Sequence, residues 1–446
     1  MLKLFLWLRY LRRKKIVLLS IAAVALSAAL LIVVASLFTG FINAFERSAV
    51  EMIGDVVVSP PTRFSKYPQF IEQLERLNSV KKATAVLFGQ GLLHLGKGDV
   101  RAVEIWGIEP ARRAEVMDFK SVLLRQKGLP GQLSFEVQGQ PGKIGGFVGV
   151  GVLAEPNEKT DEYDFEKAEK MTGRQVVLTT GTVIEDKKGG QGQFKRKTVE
   201  FTIADIVYSG MYYRDKAFIY LPIEELQKIL YPDEEGQVAK QIQIKLANGA
   251  DVDAALAQIR GLWEDFASRQ LGWNLYLIRS TYIETSIQMN SHLIAEFLKQ
   301  MGVLLLVFGI ISLSVVLLIF CIFYMIVMTR QKDIAIIKSC GAGGGSVASI
   351  FIGFGACVGI IGSGTGVAAG YVITKNINVV EQWIRIIFGL KLWKSSIYMF
   401  SKIPNEVDWG SARVIVILAI IAAIVGALIP AIVAAKTRPV EILRYE

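Results

Sequence analysis

Four long stretches without a charged side chain are the clearest pattern in this sequence. A helix rises about 1.5 Å per residue and a bilayer core is roughly 30 Å thick, so each stretch can cross a membrane as a helix. An ionised side chain at the bilayer centre costs roughly 2.5–3.5 kcal/mol, so such gaps indicate membrane spans. The pattern predicts transmembrane helices at 16–45, 299–329, 343–374 and 414–435.

The polar region between the first two predicted spans, residues 46–298, alternates between α and β patterns. A βαββ pattern at 46–110 and a βαβ pattern at 240–281 predict one shared sheet, as in ferredoxin-like folds. Residues 111–239 form a β-rich insertion, and 282–298 is predicted as an amphipathic helical stalk. The predicted strands are Asp55–Ser59, Val80–Leu95, Val100–Ile108, Gln175–Thr180, Thr198–Val207, Ala217–Leu221, Gln241–Leu246 and Leu275–Ile278.

Helices are predicted at Pro68–Leu77 and Val252–Phe266, a surface loop at Glu155–Glu169 and a hairpin tip at Lys187–Gly192. The predicted fold class is a four-span α-helical membrane protein, one span plus three, with a large α+β extracytoplasmic domain.

Charge fixes the predicted orientation. The chain is 52% hydrophobic and 20% charged, yet carries a net charge of +10. Basic residues concentrate in the tail 1–15, the link 330–342 and the tail 436–446, which the positive-inside rule assigns to the cytoplasm. The connection 375–413 is then extracytoplasmic, although it is also rich in Lys and Arg. Charge at membrane edges removes the reason to expect nucleic acid as a partner, and membrane lipids are expected instead.

The first span is too long for the roughly 7–15-residue apolar core of a cleaved signal, so we interpret it as a retained signal anchor.

Signs of catalysis are weak. Gly91–Lys97 resembles a phosphate loop, but Gly98 stands where a Ser or Thr should bind magnesium. His94 and His292 are the only histidines and lie far from the cysteines, so a metal site is not expected. We expect no enzyme activity and no cofactor in this chain. The spans also lack central Asp, Glu, Lys or Arg, so energy for any transport must come from a partner.

The link between the second and third spans is a candidate coupling helix. Ile334, Ile336 and Ile337 are predicted to give it an apolar face. The remaining candidate residues are the polar Arg330, Lys332, Asp333 and Lys338, and Gly341, which can end the helix. Such a helix could fill a groove on an ATPase or lie on lipid headgroups, and the residues alone leave both readings open.

Glycines recur along the third span at Gly355, Gly359, Gly362, Gly366 and Gly370. Small residues at this spacing allow close helix packing, either within the subunit or across a dimer face.

Several segments resemble one family. Met328–Ala342 (MTRQKDIAIIKSCGA), Leu8–Lys14, Ala102–Pro110 and Pro430–Glu446 (PAIVAAKTRPVEILRYE) resemble permeases of the FtsX/MacB/lipoprotein-releasing group of ABC transporters, most closely the LolC/LolE type. The C-terminal match is the most specific and includes Pro439, Glu441, Leu443 and Arg444.

The resemblance implies a mechanotransmission permease of the inner membrane with both termini in the cytoplasm. A separate ATPase would bind ATP and magnesium, and its motion would pass through the coupling helix to porter-like and Sabre-like parts outside. A second permease copy or paralogue and lipoprotein cargo are the other implied partners. An FtsX-like scaffold that activates a cell-wall hydrolase, or MacB-like efflux, is the alternative.

In some members a Pro-bearing hook hairpin captures a periplasmic carrier. The corresponding stretch here, Thr182–Lys197, has no proline and is rich in Gly and Lys, which leaves carrier capture open.

Overall fold

The computed structural model describes residues 15–96, 98–137, 139, 142–157, 160–184, 193–234, 236–389 and 391–438. These residues divide into two compact units. The membrane unit contains the described residues up to Ala44, Leu293–Phe388 and those from Ile403 onwards. The external unit contains Phe45–His292 and Gly389–Lys402. Residues 1–14 of the predicted N-terminal tail, the hairpin tip Lys187–Gly192 and the motif residues Pro439, Glu441, Leu443 and Arg444 lie outside the described residues.

The α-helices, in chain order, are α1 Lys15–Ile53, α2 Tyr67–Glu75, α3 Pro110–Val116, α4 Val150–Leu153, α5 Phe165–Glu169, α6 Tyr212–Ala217, α7 Ile223–Leu230, α8 Val252–Arg269, α9 Leu275–Arg279, α10 Ser286–Met289, α11 Ser291–Thr329, α12 Gln331–Ser339, α13 Gly344–Lys375, α14 Ile377–Phe388, α15 Ser395–Tyr398 and α16 Trp409–Lys436. The strands are β1 Val56–Ser59, β2 Phe64–Ser65, β3 Val80–Gly96, β4 Asp99–Ile108, β5 Gly145–Gly149, β6 Gln175–Ile184, β7 Gln193–Val207, β8 Phe218–Pro222, β9 Val238–Ala239, β10 Gln241–Leu246 and β11 Tyr282–Thr285.

Four helices of the described chain are long and apolar enough to span a membrane: α1, α11, α13 and α16. This agrees with the one-plus-three pattern predicted from the sequence. Helices α1 and α11 are longer than the apolar runs that predicted them, since α1 continues to Ile53 and α11 begins at Ser291. Phe323 of α11, Phe354 of α13 and small residues of α16 such as Ala427 are buried together in the core of the membrane unit.

The external unit contains a nine-stranded sheet in the order β11-β1-β10-β3-β4-β8-β5-β7-β6. Its first four strands, with α2 following β1 and α8 following β10, have the ferredoxin-like order. Phe70 of α2 and Trp263 of α8 meet edge to face, with ring centroids 5.2 Å apart, and both side chains are fully buried. Aromatic burial of this kind holds the two helices on the sheet.

Strand β3 is shared between the ferredoxin-like sheet and the strands of the insertion. Its first half pairs with β10, whereas Gly91–His94 pairs with β6. Because β6 also ends the sheet order, six strands close on themselves as β3-β4-β8-β5-β7-β6. Closure removes the free edges that an inserted sheet would expose. The insertion is therefore built onto the ferredoxin-like sheet through one long strand.

One local prediction is wrong and two are wrong in part. Leu275–Ile278 was predicted as a strand, but it is helical because the Asn274 side chain caps the helix by accepting from the Leu277 N–H at 2.9 Å. The predicted stalk 282–298 begins instead as strand β11, where Val57 pairs with Glu284. The predicted loop Glu155–Glu169 ends in helix α5, which Asp164 caps.

Candidate functional site

Helix α12, between the second and third spans, has one face turned into the membrane unit. Ile334 and Ala335 are 4% and 0% exposed, and Ile334 packs in the same apolar cluster as Phe351. Ile336 lies on the opposite side and is 53% exposed. The three isoleucines therefore do not form one exposed face, and the surface available to a partner contains Ile336 and the exposed Lys332.

Polar side chains form an ion pair at the start of α12 and hydrogen bonds at its end. At the start, the Arg330 guanidinium pairs with the Asp333 carboxylate at 2.9 Å. At the end, the Lys338 ammonium donates to the carbonyl oxygens of Ala435 and Thr437 at 2.8 and 2.7 Å. Those carbonyls lie at the C-terminus of α16, where a cation is favoured by the helix dipole. Gly341 follows with φ +96°, a left-handed conformation that suits glycine.

The glycine stripe of α13 is covered by helices of the same chain. A Cβ on Gly355 or Gly359 would lie 2.7–3.1 Å from atoms of Ala423, Ala427 or Ile420 of α16. A Cβ on Gly362, Gly366 or Gly370 would come equally close to α1, where the nearest atoms belong to Val24, Ala25, Ala28 and Ile32. The five glycines thus let α13 pack closely against both α1 and α16.

A largely apolar cavity of about 800 Å³ lies between α1, α11 and α16 in the membrane unit. Its polar groups include the hydroxyls of Ser27 and Ser312, which are 2.8 Å apart and hydrogen-bonded to each other. The remaining lining is mostly aliphatic, with Leu31, Leu305 and Val425 as examples. A cavity of this chemistry suits hydrocarbon.

Inside the external unit, the residues that follow α1 are hydrogen-bonded to Ser286, at the start of the short helix α10 that precedes α11. The Ser286 hydroxyl donates to the Gly54 carbonyl, and the Ser286 N–H donates to the Asp55 carbonyl at 3.1 Å. The Asp55 carboxylate pairs with the Lys245 ammonium at 3.0 Å and accepts from the Leu246 N–H at 2.8 Å. The residues that follow α1 and those that precede α11 are thereby fixed to β10.

The residues between α14 and α16 also attach to the external unit. We call Lys391–Ser401 the docking segment. The Lys391 ammonium donates to the Thr160 carbonyl at 2.6 Å and pairs with Asp161 at 3.5 Å. The Asp161 carboxylate also accepts from both the N–H and the hydroxyl of Ser395. Both charged side chains of the pair are only about a tenth exposed, at 12% and 11%.

The far end of the docking segment is held by backbone bonds. The Tyr212 N–H donates to the Met399 carbonyl at 2.9 Å, and Phe400 forms a β-bridge with Met211. The turn it meets is organised by Asp215, whose carboxylate accepts from the N–H groups of Ser209 and Gly210. Burial raises the pKa of Asp215 to about 6, against the hydrogen bonds that lower it.

No group of three or more His, Cys, Asp or Glu side chains within the described residues could hold a metal ion.

Comparison with known families identifies this arrangement. The MacB-like periplasmic core domain family matches residues 17–262, and the FtsX-like permease C-terminal family matches residues 305–439. The chain is an FtsX-like permease with a MacB-like periplasmic core domain. It is 25% identical over 450 residues to the lipoprotein-releasing system transmembrane protein LolC of Neisseria meningitidis, with 98% of each chain covered.

The permease has further relatives. It is 26% identical over 280 residues to LolC of Xylella fastidiosa, with 61% of each chain covered. It is 29% identical over 119 residues to LolE of Haemophilus influenzae, covering 27% of this chain and 29% of the relative. The solved periplasmic region of MacB from Actinobacillus actinomycetemcomitans covers 55% of the chain and 95% of the solved one, at 12% identity and a TM-score of 0.33.

Sequence reasoning found α12 and the glycine stripe of the permease but missed the docking segment and the junction at Gly54. A signal for the docking segment was present, since Lys391–Phe400 contains Trp393, Tyr398 and Phe400 in a stretch predicted only as an extracytoplasmic connection. Trp393 and Tyr398 stack at 4.2 Å between ring centroids. Aromatic residues concentrated in a short connection indicate packing.

Proposed function

We propose that this permease is a subunit of an ABC transporter that releases lipoproteins from the inner membrane. A separate cytoplasmic ATPase hydrolyses ATP, and the permease passes the resulting motion to its external unit. Both termini and α12 face the cytoplasm in this arrangement. The observation that carries the proposal is the similarity to a lipoprotein-releasing LolC protein along 98% of both chains.

The position of Lys338 supports a coupling role for α12. Its bonds to the end of α16, together with the burial of Ile334, join α12 to two neighbouring parts of the bundle. A push on the exposed face at Ile336 would therefore reach several spans, because packed interiors transmit displacement with little compression.

The junction at Ser286 supports a mechanical role for α1 and α11. These helices have 39 residues each, which corresponds to about 58 Å of helix. The segment after α1 and the segment before α11 are hydrogen-bonded to each other through Gly54, Asp55 and Ser286. A displacement of either helix along its axis would be applied to the ferredoxin-like sheet at β1 and β10.

The apolar cavity between α1, α11 and α16 supports a lipid-modified cargo. Acyl chains are hydrocarbon, and the lining of the cavity is aliphatic apart from a few polar groups such as the hydrogen-bonded Ser27 and Ser312. The transfer of apolar surface into such a site is favourable by about 25 cal/mol per Å².

Depletion of the permease tests the transport proposal. Lipoproteins should accumulate in the inner membrane, which fractionation of inner and outer membranes would detect. An unchanged distribution would overturn the proposal, and loss of cell-wall hydrolase activity instead would point to a signalling scaffold.

A substitution in α12 tests the coupling role separately. Ile336→Asp should abolish copurification of the ATPase while the permease remains folded, because it places a carboxylate on the proposed contact face. Ile334→Asp is the matched contrast, since it buries a charge in the bundle and should lower the yield of folded permease. Normal copurification with Ile336→Asp would contradict the assignment of the coupling face.

A further inference from the structure

Helix α14 has a sharply two-sided composition. At 100° per residue its four polar side chains fall within an arc of about 100°, and the remaining positions are apolar. The polar set is Asn378, Glu381, Gln382 and Arg385. The apolar set is Ile377, Val379, Val380, Trp383, Ile384, Ile386, Ile387 and Phe388.

Most of the apolar side of α14 is exposed among the residues that the structure describes. No residue of this helix is buried, and Trp383, Ile386 and Phe388 are 66%, 77% and 68% exposed. On the polar side, the Asn378 amide donates to the Ile403 carbonyl at 2.9 Å and accepts from the Ile403 N–H at 3.0 Å. This is the reverse of a helix on a water-soluble domain, where the apolar face would be covered.

The position of α14 in the chain identifies what covers that face. Helix α13 ends at Lys375 and α14 begins at Ile377, so its apolar surface continues from the exposed Val372 and Ile373 at the end of a span. The segment that directly follows α14, Gly389–Lys402, belongs to the external unit, so we assign α14 to the extracytoplasmic side. Tryptophan and basic residues at this level, here Trp383 and Lys375, are typical of the membrane interface.

We propose that α14 lies flat in the extracytoplasmic leaflet and binds its lipids through Trp383, Ile386, Ile387 and Phe388. The lipid-bound helix then runs directly into the docking segment, which is hydrogen-bonded to Asp161 and Tyr212 of the external unit. The external unit thereby gains an anchor in the leaflet besides α1 and α11. This proposal holds whatever the cargo of the permease is.

Site-directed spin labelling of the full-length permease in nanodiscs of phosphatidylethanolamine and phosphatidylglycerol tests this placement. Single cysteines replace Ile387 in the middle of the apolar face and the exposed Gln382 of the polar face, which are 140° apart around the helix. The native Cys321, Cys340 and Cys357 of the same chain are changed to alanine. Collision rates of each nitroxide are measured with oxygen, which concentrates in lipid, and with a water-soluble nickel chelate. The ratio of oxygen to nickel collisions should be several-fold higher at Ile387→Cys than at Gln382→Cys.

Two outcomes would overturn the proposal. Equal nickel access at both positions would place the apolar face in water. Shielding of the label at 387 from both reagents would show that protein covers the face, either a second copy of the chain or a cargo. Labels at Val380→Cys and Trp383→Cys repeat the measurement on the same face, so the result does not depend on one variant folding.

Discussion

Gly54, the residue directly after α1, is required for two separate reasons. Its φ is +93°, which L side chains rarely adopt, and an added Cβ would lie 2.9 Å from the Ile244 carbonyl oxygen. Gly249 has a similar φ of +78° but open space around it. A substitution at Gly249 therefore measures backbone strain alone, whereas the same substitution at Gly54 adds a steric contact.

We expect Gly249→Ala to destabilise the external unit by about 1–2 kcal/mol, the usual cost of a left-handed non-glycine residue. Gly54→Ala should cost distinctly more, because the Ile244 carbonyl accepts a bond from the Asp55 N–H and must also shift. Thermal unfolding of the purified permease would compare the two variants. Equal losses of stability in the two variants would show that the Ile244 carbonyl can move away from the added Cβ without an energetic penalty.

Asp215 makes the turn beside the docking segment sensitive to pH. Burial raises its pKa from 3.8 to about 6, so the folded state favours the protonated carboxyl. The resulting stabilisation is complete below pH 3.8 and is lost as the pH rises through 6. As the pH rises over this range, the unfolding temperature of the wild type should fall relative to that of Asp215→Asn, whose side chain cannot ionise. Parallel pH profiles of the two proteins would contradict this expectation.

At the scale of elements, helix and strand patterns were predictable where they were long. Strands β3 and β4 and helix α8 have extended patterns, and the structure confirms each of them. Leu275–Ile278 was not predictable from its apolar run, because four apolar residues fit a strand and a buried helix equally well. The cap at Asn274 was the available signal.

The candidate site was predictable only in part. The sequence located α12 and the glycine stripe, but it could not tell which isoleucine of α12 packs inward. That choice depends on Val17, Phe351 and other residues distant in the chain. Tertiary packing of this kind leaves no local pattern.

The glycine stripe offers a matched test on one helix. A Cβ on Gly366 would lie 2.8 Å from the Ala25 carbonyl oxygen, whereas Gly364, two residues away, has open space. Gly366→Ala should therefore separate α13 from α1 and lower resistance to unfolding in sodium dodecyl sulfate. Gly364→Ala should be neutral or slightly stabilising, because alanine favours helix by about 1 kcal/mol over glycine. Identical behaviour of the two variants would argue against close packing at Gly366.

At the scale of the whole molecule, the external unit is assembled from separate parts of the chain. Gly389–Lys402 joins Phe45–His292 although two spans lie between them in sequence. The largely buried ion pair between Asp161 and Lys391 is the polar part of this contact.

Asp161→Ala and Lys391→Met should each destabilise the external unit by about 1–3 kcal/mol, because each leaves a desolvated polar partner. The double variant should cost less than the sum of the single ones, since the same pair is removed in both. Thermal unfolding gives the three values, and limited proteolysis reports release of residues 391–401. Strict additivity would show that the two charges do not interact.

The discontinuity of the external unit also sets an order of events during synthesis. About 110 residues separate His292 from Lys402, which corresponds to roughly 5–20 s of translation at 5–20 residues per second. During that interval the newly made domain lacks Phe400, which forms the β-bridge with Met211, and Lys391, which pairs with Asp161. The domain is completed only once the third span has been translated. A fragment that ends before residue 389 would never acquire the docking segment, and its external unit would stay incomplete.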